Sequence, residues 1–114
     1  MTDVNLLDLI PKRLMKFEES SDGLITIFKP KFENKFMVKH ISSRLKSPDY
    51  KVNLDQFGSF VWKQCDGKNS VEQIAALLKQ QFQDDVEPIY ERLSLFFQSL
   101  AQYKFIEYKN LNSL

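Results

Sequence analysis

The sequence predicts an α+β domain in which three helices carry one core and short strands flank them. Three observations lead there. Two helical stripes lie on either side of an Asp-Gly turn within residues 53–82, a third stripe follows Pro88, and β-prone runs bracket a Ser-Asp-Gly turn near the beginning. Apolar recurrence at three and four residues marks helices, whereas short β-prone runs between turn residues mark strands.

The central stretch carries the strongest signals. Asn53 and Asp55 offer short side chains that can accept a free backbone N–H at a helix start. Leu54, Phe57, Val61 and Cys65 then recur at helical spacing. Gly67 follows the last of them, where a chain leaving a helix often needs the left-handed conformation. Ser70 to Gln73 reads as a capping box, and Val71, Ile74, Leu78 and Phe82 carry the second stripe.

The flanking elements follow in order. Residues 5–10, with Leu6, Leu7 and Ile10, predict a short amphipathic turn ended by Pro11. A hairpin pairs roughly residues 13–18 with 24–29 through Ser21-Asp22-Gly23, and Pro30 stops its second strand. Met37, Ile41 and Leu45 share one side of residues 33–46 with lysines opposite, which predicts an inserted helix ended by Ser47-Pro48. Tyr50 to Asn53 reads as a short strand leading into the central helices. Asp84 and Asp85 precede Pro88 as anions for the start of the third helix. Its stripe is Ile89, Leu93, Phe96, Phe97 and Leu100, and it ends near Tyr103. Phe105 to Tyr108 makes a last strand, the wing, and residues 110–114 a polar tail expected to fray. This order is that of a winged helix-turn-helix: a three-helix core with a small antiparallel sheet and an inserted N-terminal helix. One domain covers 1–114, with N-terminal strands and inserted helix in 1–53 and helical core and wing in 54–109.

At 114 residues, 43% hydrophobic and with ten Phe, the chain can bury a core of its own. No apolar run approaches the ~20 residues needed to cross a bilayer, so no membrane is expected. The opening MTDVNLLDLIPKR matches neither a secretory signal nor a transit peptide. A single Cys excludes an internal disulfide and fits a reducing interior, so the expected compartment is the cytoplasm. The net charge of +1 conceals an asymmetry: residues 29–51 hold seven Lys or Arg against two Asp or Glu, whereas 54–114 hold six against eight. The basic run reads first as a solvated helix face, and second as a surface for an acidic partner.

Candidate chemistry is sparse. One His and one Cys, His40 and Cys65, cannot assemble a metal site of the usual spacing. His40 stands beside Lys39 and reads as a surface residue. Cys65 continues an apolar stripe and reads as a small buried hydrophobe. Gly23, Gly58 and Gly67 are too far apart for a phosphate-binding loop. Asp66 before Gly67 is turn chemistry. Phe57, Phe82, Phe96 and Phe97 read as core at helical spacing. Trp62 either closes an edge of that core or lines a groove. An enzyme is not expected, and no cofactor is implied.

Taken in order, Leu54-Asp55, Phe60 to Trp62, Cys65-Asp66-Gly67, Val71 to Ile74 and the late Phe105-Ile106 resemble the PqqD-like family of small winged helix-turn-helix domains. That family is named for pyrroloquinoline quinone synthesis protein D, and the resemblance covers about half of the chain well. It implies a recognition element for ribosomally made, modified peptides. Such a domain binds the leader segment of a precursor peptide and presents it to a modifying enzyme, often a radical SAM protein. In the family the leader adds a strand to the sheet edge beside the third helix, so that backbone hydrogen bonds give affinity and side-chain pockets give selectivity. Carried onto this chain, the edge strand is Tyr50, Lys51 and Val52. Helix geometry then puts Arg92, Phe96, Ser99 and Tyr103 on the facing side of the third helix. Lys51 and Arg92 would meet acidic leader residues and Phe96 an apolar anchor. The inserted helix 33–46 either covers this groove or forms part of it.

Two other classes compete. A DNA-binding winged-helix regulator would need clustered Lys or Arg on its third helix, yet PIYERLSLFFQSLAQY holds one Arg and no Lys, so nucleic acid is disfavoured. A structural or self-associating adaptor would swap the N-terminal apolar turn between two copies. The partner is thus a peptide or protein, and the chain a monomer or homodimer.

Overall fold

The computed structural model describes residues 4–30 and 49–111. The expected inserted helix 33–46, His40 included, lies outside the described residues. Helix α1 spans Gln56–Gln64, α2 Val71–Phe82 and α3 Ile89–Gln102. Side chains satisfy the free N–H groups at each start. Gly58 N donates to Asp55 Oδ1 at 2.8 Å, placing Asp55 as the cap of α1. At α2 both halves of the capping box form, Ser70 N to Gln73 Oε1 at 2.7 Å and Gln73 N to Ser70 Oγ at 3.2 Å. At α3 the anion is Glu87, whose Oε1 accepts from Ile89 N at 3.2 Å. Asp84 and Asp85, expected in that role, belong to a 3-10 turn over Gln83–Val86. Glu87 adjoins Pro88, the cap residue, and reaches the first helical N–H.

Among the described residues, five strands form two antiparallel sheets. Strands β2 (Lys16–Glu19), β3 (Ile25–Pro30) and β4 (Asp49–Asn53) make one sheet in that order. Strands β1 (Pro11–Arg13) and β5 (Ile106–Tyr108) make the other. The hairpin around Ser21-Asp22-Gly23 is therefore present, but Arg13 is not part of it. Arg13 pairs with Ile106, and its Nη1 donates to Trp62 O and Lys63 O, each at 3.0 Å. Those carbonyls lie in the last turn of α1, where Trp62 O also accepts from Cys65 N at 3.1 Å, so the guanidinium fastens β1 to the end of the helix rather than to the hairpin. The last strand likewise pairs with β1 and not with the three-stranded sheet. Gly67 takes φ +80° and donates its N–H to Pro11 O at 2.9 Å, joining the inter-helix turn to β1.

The core combines Ile25 and Ile27 of β3 with Val61, Trp62, Val71, Ile74, Leu78, Ile89, Leu93 and Phe97 of the helices, all buried. Trp62 is wholly enclosed, with the Phe17 ring edge-on at 5.9 Å, so it belongs to the core and lines no groove. Asn110 begins the stretch expected to fray, yet its side chain bonds both Ile10 N, at 3.0 Å, and Asp8 O, at 2.8 Å. Among the described residues no helix is long and apolar enough to cross a membrane.

Candidate functional site

The register of β4 decides which of its backbone groups point away from the sheet. Lys29 stands opposite Tyr50 and Thr26 opposite Asn53. Leu54 continues that register and donates its N–H to Ile25 O at 2.9 Å. Backbone groups alternate sides along an antiparallel strand. Leu54, Val52 and Tyr50 therefore turn theirs toward β3. Lys51 and Asn53 turn theirs outward, to a side where no described strand pairs.

Side chains alternate between faces with the same period. Val52 stands opposite buried Ile27 and packs toward the core. Asn53 and Lys51 take the other face, where Thr26 Oγ1 donates to Asn53 Oδ1 at 2.8 Å. Lys51 thus stands on the face opposite to that of Val52.

Helix α3 presents Arg92, Phe96, Ser99 and Tyr103 on one side. The Arg92 guanidinium lies 4.1 Å from the centroid of Phe57, a cation–π stack, and its Nη1 donates to Asp85 O at 3.1 Å. These groups, with Asp55, Phe82 and Val86, bound an open depression of about 350 Å³. Phe96 sets its ring edge-to-face on Phe57 with centroids 6.1 Å apart, and lies against Gly58, where an added Cβ would stand 3.3 Å from the ring. Ser99 is exposed one turn further on, and Tyr103 is 54% exposed at the end of the helix. The Lys29 ammonium sits 5.4 Å from the Tyr103 ring and 5.7 Å from that of Phe105. The structure thus gathers Arg92 and Phe96 around Phe57, and Tyr103 around Lys29. Strand β4 and α3 are not packed extensively on each other.

Two members of this surface were missed in the sequence. Lys29 closes the alternation Ile25, Ile27, Lys29, which by itself puts its stem on the core face. Phe57 reads as core from its stripe, and nothing in the spacing announces that its other face carries a guanidinium.

Elsewhere the side chains with chemical potential serve the fold. The Cys65 thiol is buried, donates to Val61 O at 3.2 Å, and is pushed up to about 12 by burial. The Asp66 carboxylate accepts from Lys68 N at 2.9 Å and Asn69 N at 3.1 Å, which is turn chemistry. No group of three potential metal ligands occurs among the described residues. The groups on this side of α3 are rings, a hydroxyl and a guanidinium, and the outward edge of β4 meets no strand among the described residues.

The family model described as coenzyme PQQ synthesis protein D (PqqD) matches residues 45–106, a little over half of the chain, and takes in β4 and all three helices. Neither a curated protein nor a solved structure matches the chain.

Proposed function

This chain belongs to the PqqD family, and from that premise we propose that it is a non-catalytic peptide-recognition module. An extended peptide adds as a further strand to the outward side of β4, alongside α3, and is presented there to a modifying enzyme. The resemblance implies a radical SAM protein as that enzyme, the leader of a precursor peptide as the ligand, and the cytoplasm as the compartment. On this reading the domain is a winged helix whose recognition surface is the sheet edge and not a helix inserted in DNA.

One observation carries the reading: the outward backbone groups of Lys51 and Asn53 lie on the one side of β4 where no described strand pairs. Backbone hydrogen bonds to such an edge are indifferent to ligand sequence, and the side chains beside it choose the sequence. Arg92, Phe96, Ser99 and Tyr103 on α3, with Tyr50, Lys51 and Val52 on β4, are the residues proposed to do so. Charge supports peptide over nucleic acid. Within Ile89–Gln102 a single Arg is offset by Glu91, whereas phosphate neutralisation draws on several cations.

The test is amide chemical-shift mapping of the labelled chain during titration with candidate leader peptides, and separately with duplex DNA. Strand addition shifts the Tyr50–Asn53 amides and one side of α3, and slows solvent exchange of the Lys51 and Asn53 N–H groups. Peptide-induced shifts that avoid β4 altogether would overturn the proposal.

A further inference from the structure

The two ends of the groove differ in charge, and the helix beside it fixes how far apart they are. The first turns of α3 place Arg92 against Phe57, just beyond the last residue of β4. Its end places Tyr103 against Lys29, which stands opposite Tyr50 near the start of β4. Helix and strand therefore run in opposite directions. From Arg92 to Tyr103 the helix rises about 16 Å at ~1.5 Å per residue. The five residues of β4 extend by about the same distance at ~3.3 Å each. The groove thus matches an extended segment of about five residues, with one end of α3 at each end of the segment.

At the Arg92 end, Asp55 and Asp85 line the depression together with Phe57, Phe82 and Val86, and Asp55 Oδ1 also accepts from Gly58 N at 2.8 Å. The Arg92 guanidinium is already committed to the Phe57 face and to Asp85 O. Two acids against one cation leave that end acidic, and its apolar walls suit the aliphatic stem of a Lys or Arg. At the Tyr103 end stand Lys29 and exposed Lys104. All described strand pairs are antiparallel, and a strand added to β4 in the same sense would begin at the Asp55 end and finish at the Lys29 end.

We propose that the groove selects its peptide by charge order: a basic residue first, lodged between Asp55 and Asp85, and an acidic residue about four positions later, meeting Lys29. The inference rests on the strand-addition reading above and adds to it the polarity and chemical class of the ligand. Charge complementarity of this kind fixes register and rejects wrong partners.

The experiment uses the full chain and three synthetic peptides with the same neutral flanks and the same β-prone centre. One carries Lys first and Glu fifth, one carries them exchanged, and one carries Gln at both positions. Affinities come from NMR titration at low salt and again at 0.5 M salt. The expected result is that the Lys-first peptide binds about tenfold more tightly than the exchanged one, with the neutral peptide between them. Salt shrinks the difference, and Lys29→Glu abolishes or inverts it. Lys29→Gln, which only removes the charge, narrows it. Equal affinity for the two charged orders, with both binding at β4, overturns the charge-order inference and leaves strand addition standing. A preference for the exchanged order overturns the assigned polarity. Failure of all three peptides, the neutral one included, overturns strand addition and this inference with it.

Discussion

The hydroxyl of Ser59 on α1 accepts the backbone N–H of Ile25 on β3 at 2.8 Å, and it lies within 3.3 Å of Leu54 O. Ser59 is 1% exposed, so this is a buried polar contact joining the sheet to the helix beneath it. It holds β3, and through β3 the candidate edge β4, in a fixed position over α1. Replacing Ser59 with Ala leaves the Ile25 N–H buried without its acceptor, which costs about 1–3 kcal/mol. Ser59→Ala is expected to lower the urea midpoint without changing the slope, and to lower Tm by roughly 4–8 °C per kcal/mol. An unchanged midpoint would show that the sheet does not depend on this bond.

The outward N–H of Lys51 gives the most direct mutational test of strand addition. Proline has no N–H and is tolerated at a sheet edge where that group faces away from the ladder. Lys51→Pro is expected to keep the helical circular dichroism and a cooperative melt, while weakening peptide binding at least tenfold. Val52→Pro is expected instead to destabilise the fold, because its N–H faces β3. Equal peptide affinity for Lys51→Pro and the parent chain would sink the edge-strand reading.

Alkaline pH should lower the stability of this protein. Burial pushes the Cys65 thiol from 9.0 up to about 12, with Arg13 pulling the other way without prevailing. Burial also raises the Tyr108 hydroxyl from 10.0 to about 12, with the Cys65 charge second. Both groups stay protonated in the folded chain over a range where the unfolded chain releases its protons. The unfolded state then binds fewer protons, so stability is full below about pH 9 and falls as pH rises toward 12, by up to about 1.4 kcal/mol per pH unit for a fully buried group. Urea titrations at pH 8, 9.5 and 10.5 measure that slope, and Cys65→Ala should flatten it. The native thiol should also resist a disulfide reagent at pH 8 and react on addition of urea.

Gly67 is the glycine whose conformation the fold demands most. Its φ is +80°, and a Cβ there would come within 3.0 Å of Lys109 Cδ. A left-handed non-glycine residue costs roughly 1–2 kcal/mol. Gly67→Ala is therefore expected to lower stability by about that amount and to loosen the β1–β5 pairing, seen as faster amide exchange at Gly67 and Lys109. Gly58→Ala acts differently. A Cβ there would stand 3.3 Å from both the Phe96 ring and Asp55 Oδ1, side chains and not backbone, so its effect should appear in peptide affinity as well as in Tm.

Much of the helical architecture was legible because its signals are local. Asp55, Ser70 with Gln73, and Gly67 each act on backbone within a few residues, so their roles follow from spacing alone. The stripes of α1, α2 and α3 identified the buried residues Val61, Ile74, Leu78, Leu93 and Phe97 for the same reason. The strand at Tyr50 to Asn53 was legible too, and alternation along Ile25, Ile27 and Lys29 would have brought in Lys29.

What the sequence by itself determined, then, is where helices begin, turn and end, which faces they bury, and the family resemblance carried by that order. What only the tertiary structure decided is which strands pair, and what each groove residue faces. Arg13 joined β5 and left the hairpin, its guanidinium donating to carbonyls about fifty residues away at the end of α1. Strand alternation set Lys51 on the face away from Val52, and Arg92 lies against Phe57 and donates to Asp85 O. Strand partners and side-chain company are set by long-range packing, where hydrogen-bond demand and ring faces from distant segments compete. That competition leaves no periodic trace along the chain.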